Sequence, residues 1–192
     1  MNALTWPETQ IIFWTLLGVY WLSETLILQR MRAGSGDRTD DRGSLRLLGV
    51  LFSIGWAALF LLSFVSQGSF DSIAVIWVGL FMMGAGQLLR WWSVATLGRL
   101  FTVDVTIREG HRVIDSGPYR WVRHPAYTAI LLFHLGAALA MDNAFTVIAM
   151  MVPGILGLLN RMRVEEQVLV SGFGDAYRGY MKRTKRLIPM VY

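Results

Sequence analysis

LLGVLFSIGWAALFLLSFV, residues 47–65, holds no charged side chain. A helix crossing a bilayer needs about 20 mostly apolar residues, with roughly 17–25 tolerated. This stretch therefore reads as a membrane span, and its neighbours read the same way. Upstream, Ile11–Leu28 is apolar except for Glu24 near one end; downstream, Ile73–Leu89 is uncharged. Two shorter runs follow, Pro125–Met141 and Ala144–Leu159, with only Asp142 and Asn143 between them. Coming after three clear spans, they are expected to form a tight transmembrane hairpin rather than two buried soluble helices, with a kink at Pro153.

Composition agrees. The 192 residues are 54% hydrophobic and 16% charged, against about 25% charged in a soluble domain, and the mean hydropathy is +0.46. The expected fold is an all-α integral membrane protein of about five transmembrane helices with a cytoplasmic C-terminal helical cap. Residues 1–94 would supply three spans and a polar linker, and residues 95–192 a cofactor-binding half. Too little chain lies outside the apolar runs for a separate soluble catalytic domain, so any chemistry belongs on short loops, on the tail or between helices.

Charge fixes the expected orientation. All 18 Lys and Arg residues fall between the first and second runs, between the third and fourth, or after the fifth; the opposite side carries Glu8, Asp71 and Asp142. Cytoplasmic loops carry the Lys and Arg excess, so the N-terminus is expected outside and the C-terminal tail in the cytoplasm. The sequence pI near 10.0 then reflects topology and contact with anionic lipid headgroups rather than nucleic-acid binding. The first ten residues carry Glu8 and no Lys or Arg, which argues against a cleaved signal peptide. With no cysteine there is no disulfide, thiolate zinc site or Cys nucleophile, and three scattered histidines give no metal signature.

The extramembrane pieces differ. Residues 31–44 read as a polar linker. Phe101–Ile107 has strand-like β-branched content, although a short ordered loop fits equally. The tail is expected to continue the fifth helix to about Val170, break at Gly172 and Gly174, and resume over Ala176–Arg183 with Asp175 as N-cap. Tyr177, Tyr180 and Met181 share helical spacing, which suggests a helix lying on the membrane interface.

Two clusters could carry chemistry. Gly117-Pro118-Tyr119-Arg120-Trp121-Val122-Arg123-His124-Pro125-Ala126-Tyr127 sits where the connector enters the fourth run. Pro125 suits the first helical position, and the free N–H groups of a helix start attract a carboxylate or phosphate. A positive-inside anchor with belt aromatics fits the same residues equally well. The second cluster, Arg161 to Glu166, lies where the fifth run leaves the membrane; Arg161 and Glu165 share a helix face, Glu166 lies near Met162 and Arg163, and an ordinary surface ion pair would fit these residues too. A hairpin would bring His124, Tyr127, Arg161 and Glu165 to one edge. Glu24 is expected to pair with an Arg of another helix, and His134 to be a satisfied interhelical polar group.

The pattern G-P-Y-R-x-x-R-H-P-x-Y, then a hairpin, then R-x-x-x-E-E-x-x-L-x-x-x-F-G-x-x-Y-x-x-Y and a final L-I-P resembles the isoprenylcysteine carboxyl methyltransferase family and its bacterial relatives, and more distantly the phospholipid N-methyltransferases. It covers residues 99–189; before residue 99 the likeness is topological. The resemblance implies S-adenosyl-L-methionine as cofactor, contacted by His111, Arg112, Val113, Ile114, Tyr119, His124, Pro125, Ala126, Tyr127 and Glu165. It makes Arg161 the substrate-side residue. Many family members have Gly where this chain has Ala129. The implied reaction is O-methylation of a lipophilic carboxylate or another lipid acceptor, in a bacterial inner membrane if the bacterial relatives are the guide. Transfer to a phospholipid or small amine is the alternative enzyme. A non-catalytic protein binding membrane lipid or a protein partner is the alternative outside catalysis.

Overall fold

The computed structural model describes residues 7–31, 41–62, 64–65, 67–104 and 113–192. Among them are six α-helices and no extended strand: α1 (Pro7–Arg30), α2 (Ser44–Leu62), α3 (Ile73–Leu97), α4 (Pro125–Ala140), α5 (Ala144–Phe173) and α6 (Asp175–Arg183), with 3-10 turns at Gly98–Leu100 and Gly117–Arg120. Four helices are long and apolar enough to cross a membrane: α1, α2, α3 with the turn that extends it, and α5. Large apolar side chains such as Ile11, Leu61, Phe64 and Phe81 remain exposed on the outside of the protein. A water-soluble protein hides such groups and a lipid-facing surface displays them. The chain is a multi-pass membrane protein.

The fourth run gives the shorter helix α4. Its 16 residues rise about 24 Å at 1.5 Å per residue, less than the roughly 30 Å hydrocarbon core. Its place is set by α3. A Cβ added at Gly79 would lie 2.6 Å from the Ala140 nitrogen and the Gly136 carbonyl, and one at Gly136 would lie 2.5 Å from the Gly79 carbonyl. The two backbones touch through a seam of small residues, the packing that membranes favour because dispersion rather than water drives association there. Below the seam the core is filled by Phe13, Leu59, Ile76, Met83, Phe133 and Met150.

The turn between α4 and α5 is anchored from outside the hairpin. Asp142 takes a positive φ of 55°, a conformation Asp tolerates better than most residues, and its carboxylate accepts from the Ser69 hydroxyl at 3.2 Å. Asn143 caps α5 by accepting the Phe145 N–H, while its amide donates to Val65 and Gln67 carbonyls.

At the opposite end, Arg90 of α3 forks onto Glu24 of α1 at 2.8 and 2.9 Å, confirming the expected pairing. α5 runs unbroken through Pro153 and past Gly172 to Phe173, so only Gly174 ends it. Gly174, not Asp175, occupies the N-cap of α6, with no side-chain cap. Tyr177 and Tyr180 of α6 are buried against the protein, so this helix covers the bundle instead of presenting its rings to lipid. Phe101–Asp104 forms no strand; the rest of that expected segment, with His111 and Arg112, lies outside the described residues.

Candidate active site

The hairpin turn sets α4 and α5 antiparallel, so the start of α4 and the C-terminal stretch of α5 emerge at one level. There the Tyr127 hydroxyl donates to Glu165 Oε2 at 2.7 Å, and Arg161 Nε reaches the same hydroxyl at 3.4 Å. The His124 ring stacks on Tyr127 with centroids 5.4 Å apart. His124, Tyr127, Arg161 and Glu165 do converge, as the hairpin geometry demands.

They line one cavity of about 570 Å³. Its upper wall is made by Val113, Ile114, Tyr119 and Ala126 with the cap residues Phe173 and Tyr177. Its lower wall, at bilayer depth, is Tyr20, Phe52, Trp56, Ile130 and His134. Of the residues expected from the sequence, Pro125 is buried beside the cavity without lining it. His134 differs from expectation: its Nδ1 lies 2.7 Å from the Ile130 carbonyl of its own helix, an intrahelical bond. A carbonyl can only accept, so Nδ1 carries the proton and Nε2 is left as the acceptor in the neutral ring.

The adjacent glutamates of α5 face different ways, since neighbours on a helix point about 100° apart. Glu165 looks into the cavity, its side chain 29% exposed. Glu166 is 4% exposed and points into the protein. Its carboxylate takes Arg123 Nε at 3.0 Å, Arg186 Nη2 at 2.6 Å and His124 Nε2 at 3.2 Å. This bonding to Glu166 holds the Arg186 guanidinium above its ordinary pKa. Arg123 also donates to the Met181 and Thr184 carbonyls. The returning tail runs beside the entry to α4, where the Arg123 and His124 N–H groups donate to the Lys185 and Arg186 carbonyls at 2.7 and 3.0 Å. Glu166 is thus the charge that locks the tail under α4.

Arg161 is also held differently. It does not bond Glu165. Nη1 donates to Asp41 and to Ser44 Oγ, and Nη2 to the Val103 carbonyl. Sequence reasoning missed Asp41, Ser44 and Val103, because they sit in an irregular linker and connector whose partners no periodicity reveals. Arg123 and Arg186 had a weak signal, as basic residues beside an acidic pair. Burial pushes the phenols of Tyr119, Tyr177 and Tyr180 above their ordinary pKa, so they remain neutral donors; Tyr180 donates to the Tyr119 carbonyl at 2.7 Å and ties the cap to the connector.

The model of the isoprenylcysteine carboxyl methyltransferase (ICMT) family matches residues 77–171. Over that stretch the chain belongs to the ICMT family. The matched segment runs from α3 through α5 and holds Arg90, His124, Tyr127, Arg161 and both glutamates. Protein-S-isoprenylcysteine O-methyltransferase B of Arabidopsis thaliana is 33% identical over 115 residues, 59% of this chain and 58% of the relative. A probable protein-S-isoprenylcysteine O-methyltransferase of Oryza sativa subsp. indica is 29% identical over 119 residues, 61% of this chain and 62% of the relative. The chain thus spans about three-fifths of the length of the curated relatives it matches. The solved structure of a eukaryotic intramembrane Ras methyltransferase ICMT shares the fold, with a TM-score of 0.64 at 23% identity over 74% of this chain and 52% of that one.

Proposed function

We propose that this ICMT-family protein is a methyltransferase that uses S-adenosyl-L-methionine to esterify a lipophilic carboxylate. The observation that carries the reading is the cavity itself: an aromatic and acidic wall faces a buried arginine, and the space below them is apolar and lies at bilayer depth. Its volume of about 570 Å³ falls within the roughly 300–1,000 Å³ of small-molecule sites.

The residues fit a cationic cofactor. Glu165 lines the space, as Glu24 and Asp104 do, and lies beside the tyrosines, where it suits an ammonium or a ribose. The rings of Tyr119, Tyr127 and Tyr177 offer π faces that attract a cation. When bound, the cofactor supplies a sulfonium-activated methyl group. The chain's residues do the rest. Tyr127 ties Glu165 to Arg161 through one hydroxyl, so cofactor-side and acceptor-side groups hold a fixed spacing. Phe173 and the α6 tyrosines Tyr177 and Tyr180 line the polar end. An ionised carboxylate needs no base, so alignment is the main task, and alignment is what a rigid cluster provides. Transfer to an amine would ask His124 to take a proton; both its ring nitrogens face glutamates, which favours the carboxylate reading.

Two measurements test this. Protein incubated with methyl-labelled cofactor and a panel of prenyl and fatty carboxylates should form base-labile methyl esters; label found only on amines or phospholipids would sink the reading. Glu165→Gln should weaken cofactor binding tenfold or more, about 1.4 kcal/mol for a charge-assisted contact, while leaving the fold intact, and calorimetry reads the change directly.

We further propose the orientation with N-terminus outside and C-terminal tail in the cytoplasm, which the one-sided placement of all 18 basic residues supports. A tag at residue 192 accessible from outside intact cells would reverse it.

A further inference from the structure

Arg161 is 2% exposed and already engaged. Among the described residues its Nε meets the Tyr127 hydroxyl, its Nη1 donates to Asp41 Oδ1 and Ser44 Oγ, and its Nη2 donates to the Val103 carbonyl. A guanidinium has five N–H groups, so these bonds leave one, on Nη2. A carboxylate bound in the strong two-pronged manner needs two adjacent N–H groups.

Asp41 is the one carboxylate among these partners, and it does not depend on Arg161 for its place. Its Oδ2 accepts the Leu45 N–H at 3.1 Å and its backbone carbonyl accepts the Ser44 N–H at 2.9 Å, so it anchors the start of α2. Its side chain is 20% exposed and does not line the cavity, whereas Arg161 does. An acceptor carboxylate arriving at Arg161 would stand beside the charge of Asp41, with Glu165 one helical turn further along α5. In a medium of low dielectric, like charges at such range repel strongly. Exchanging one carboxylate for the other conserves both the donor count and the charge.

We infer that Asp41 is a specificity-determining residue: it occupies the acceptor-carboxylate position on Arg161 and gives it up when an acceptor binds, so its charge sets how tightly carboxylate acceptors are held. The inference rests on the carboxyl-methylation reading.

Asp41→Asn tests it. Asn caps a helix as well as Asp does and its one oxygen can keep the Leu45 N–H, so the variant should fold; the charge and the acceptor that face Arg161 are lost. The full chain in phosphatidylcholine nanodiscs is titrated with decanoate and, separately, with decanol, which partitions similarly but carries no charge. Decanoate should bind the variant more tightly by at least about threefold, the effect of removing one competing charge, with decanol unchanged. If Asp41 merely clamps Arg161 in place, decanoate binds the variant more weakly. That result, equal affinity, or no binding of decanoate to either form overturns the inference. The functional reading has its own failure. If decanoate binds more tightly yet neither form converts any carboxylate of the panel to an ester, methyl transfer to carboxylates is wrong and the competition at Arg161 stands.

Discussion

Arg161→Ala is expected to reduce methyl transfer at least a hundredfold, roughly 2.7 kcal/mol of transition-state stabilisation, while changing cofactor affinity by less than about threefold. The asymmetry follows from the geometry. Arg161 reaches the cofactor-side cluster only through the Tyr127 hydroxyl at 3.4 Å, whereas Glu165 holds that hydroxyl at 2.7 Å without help. Removing Arg161 leaves the Val103 carbonyl without its donor, so the connector should also loosen at the cavity wall. Arg161→Lys separates the two effects. It keeps a charge but cannot span Asp41, Val103 and Tyr127 at once, so a positioning role predicts that Lys rescues little. Calorimetry with the cofactor and single-turnover methyl transfer on the same samples decide it. Loss of cofactor binding in Arg161→Ala would overturn the division of roles between Arg161 and Glu165.

Glu166→Gln should be the most destabilising single change at this end of the molecule. Removing one partner of a buried charge cluster costs about 3–5 kcal/mol, because the remaining charges are left without compensation. Here Arg123 and Arg186 lose their carboxylate together, and the tail loses its lock on α4. At roughly 2–4 °C per kcal/mol for a chain of this size, the melting temperature should fall by about 10 °C. Protease should then reach the segment after Thr184 in the variant and not in the parent. Glu165→Gln, one residue away, should leave the melting temperature near the parent's. Equal melting of all three proteins would mean that Glu166 makes no net contribution.

The contrast between these two glutamates shows how far sequence could reach. The pattern around residues 117–127 and 161–180 pointed to the candidate site, because a two-residue turn between apolar runs forces their ends to one level. Helix starts were legible within a few residues, but α3 runs past Leu89 to Leu97, because Arg90 stays inside it by pairing with Glu24. Which way Glu165 and Glu166 point was not legible. That choice depends on where the tail docks, and Arg186 is twenty residues distant in sequence. The same holds for Asp41, 120 residues from Arg161. Local periodicity put Arg161 and Glu165 on one helix face, and long-range contacts took up the guanidinium. α6 misled for a related reason: tyrosines at helical spacing suit a lipid surface and a protein surface alike, and only the neighbouring Tyr119 carbonyl decides between them.

The lower wall of the cavity bears on how such an enzyme would be measured. Trp56 and His134 sit among the apolar side chains of α2 and α4, so an acceptor that fills this space is a solute of the lipid phase. Its effective concentration is then a mole fraction in two dimensions. Adding inert phospholipid at constant total acceptor should slow the reaction by surface dilution, and an apparent KM in bulk molar units would describe the vesicles as much as the protein. A water-soluble cofactor entering at the polar end would obey ordinary volume concentration. One reaction would thus follow two different concentration scales, divided at the level of Arg161.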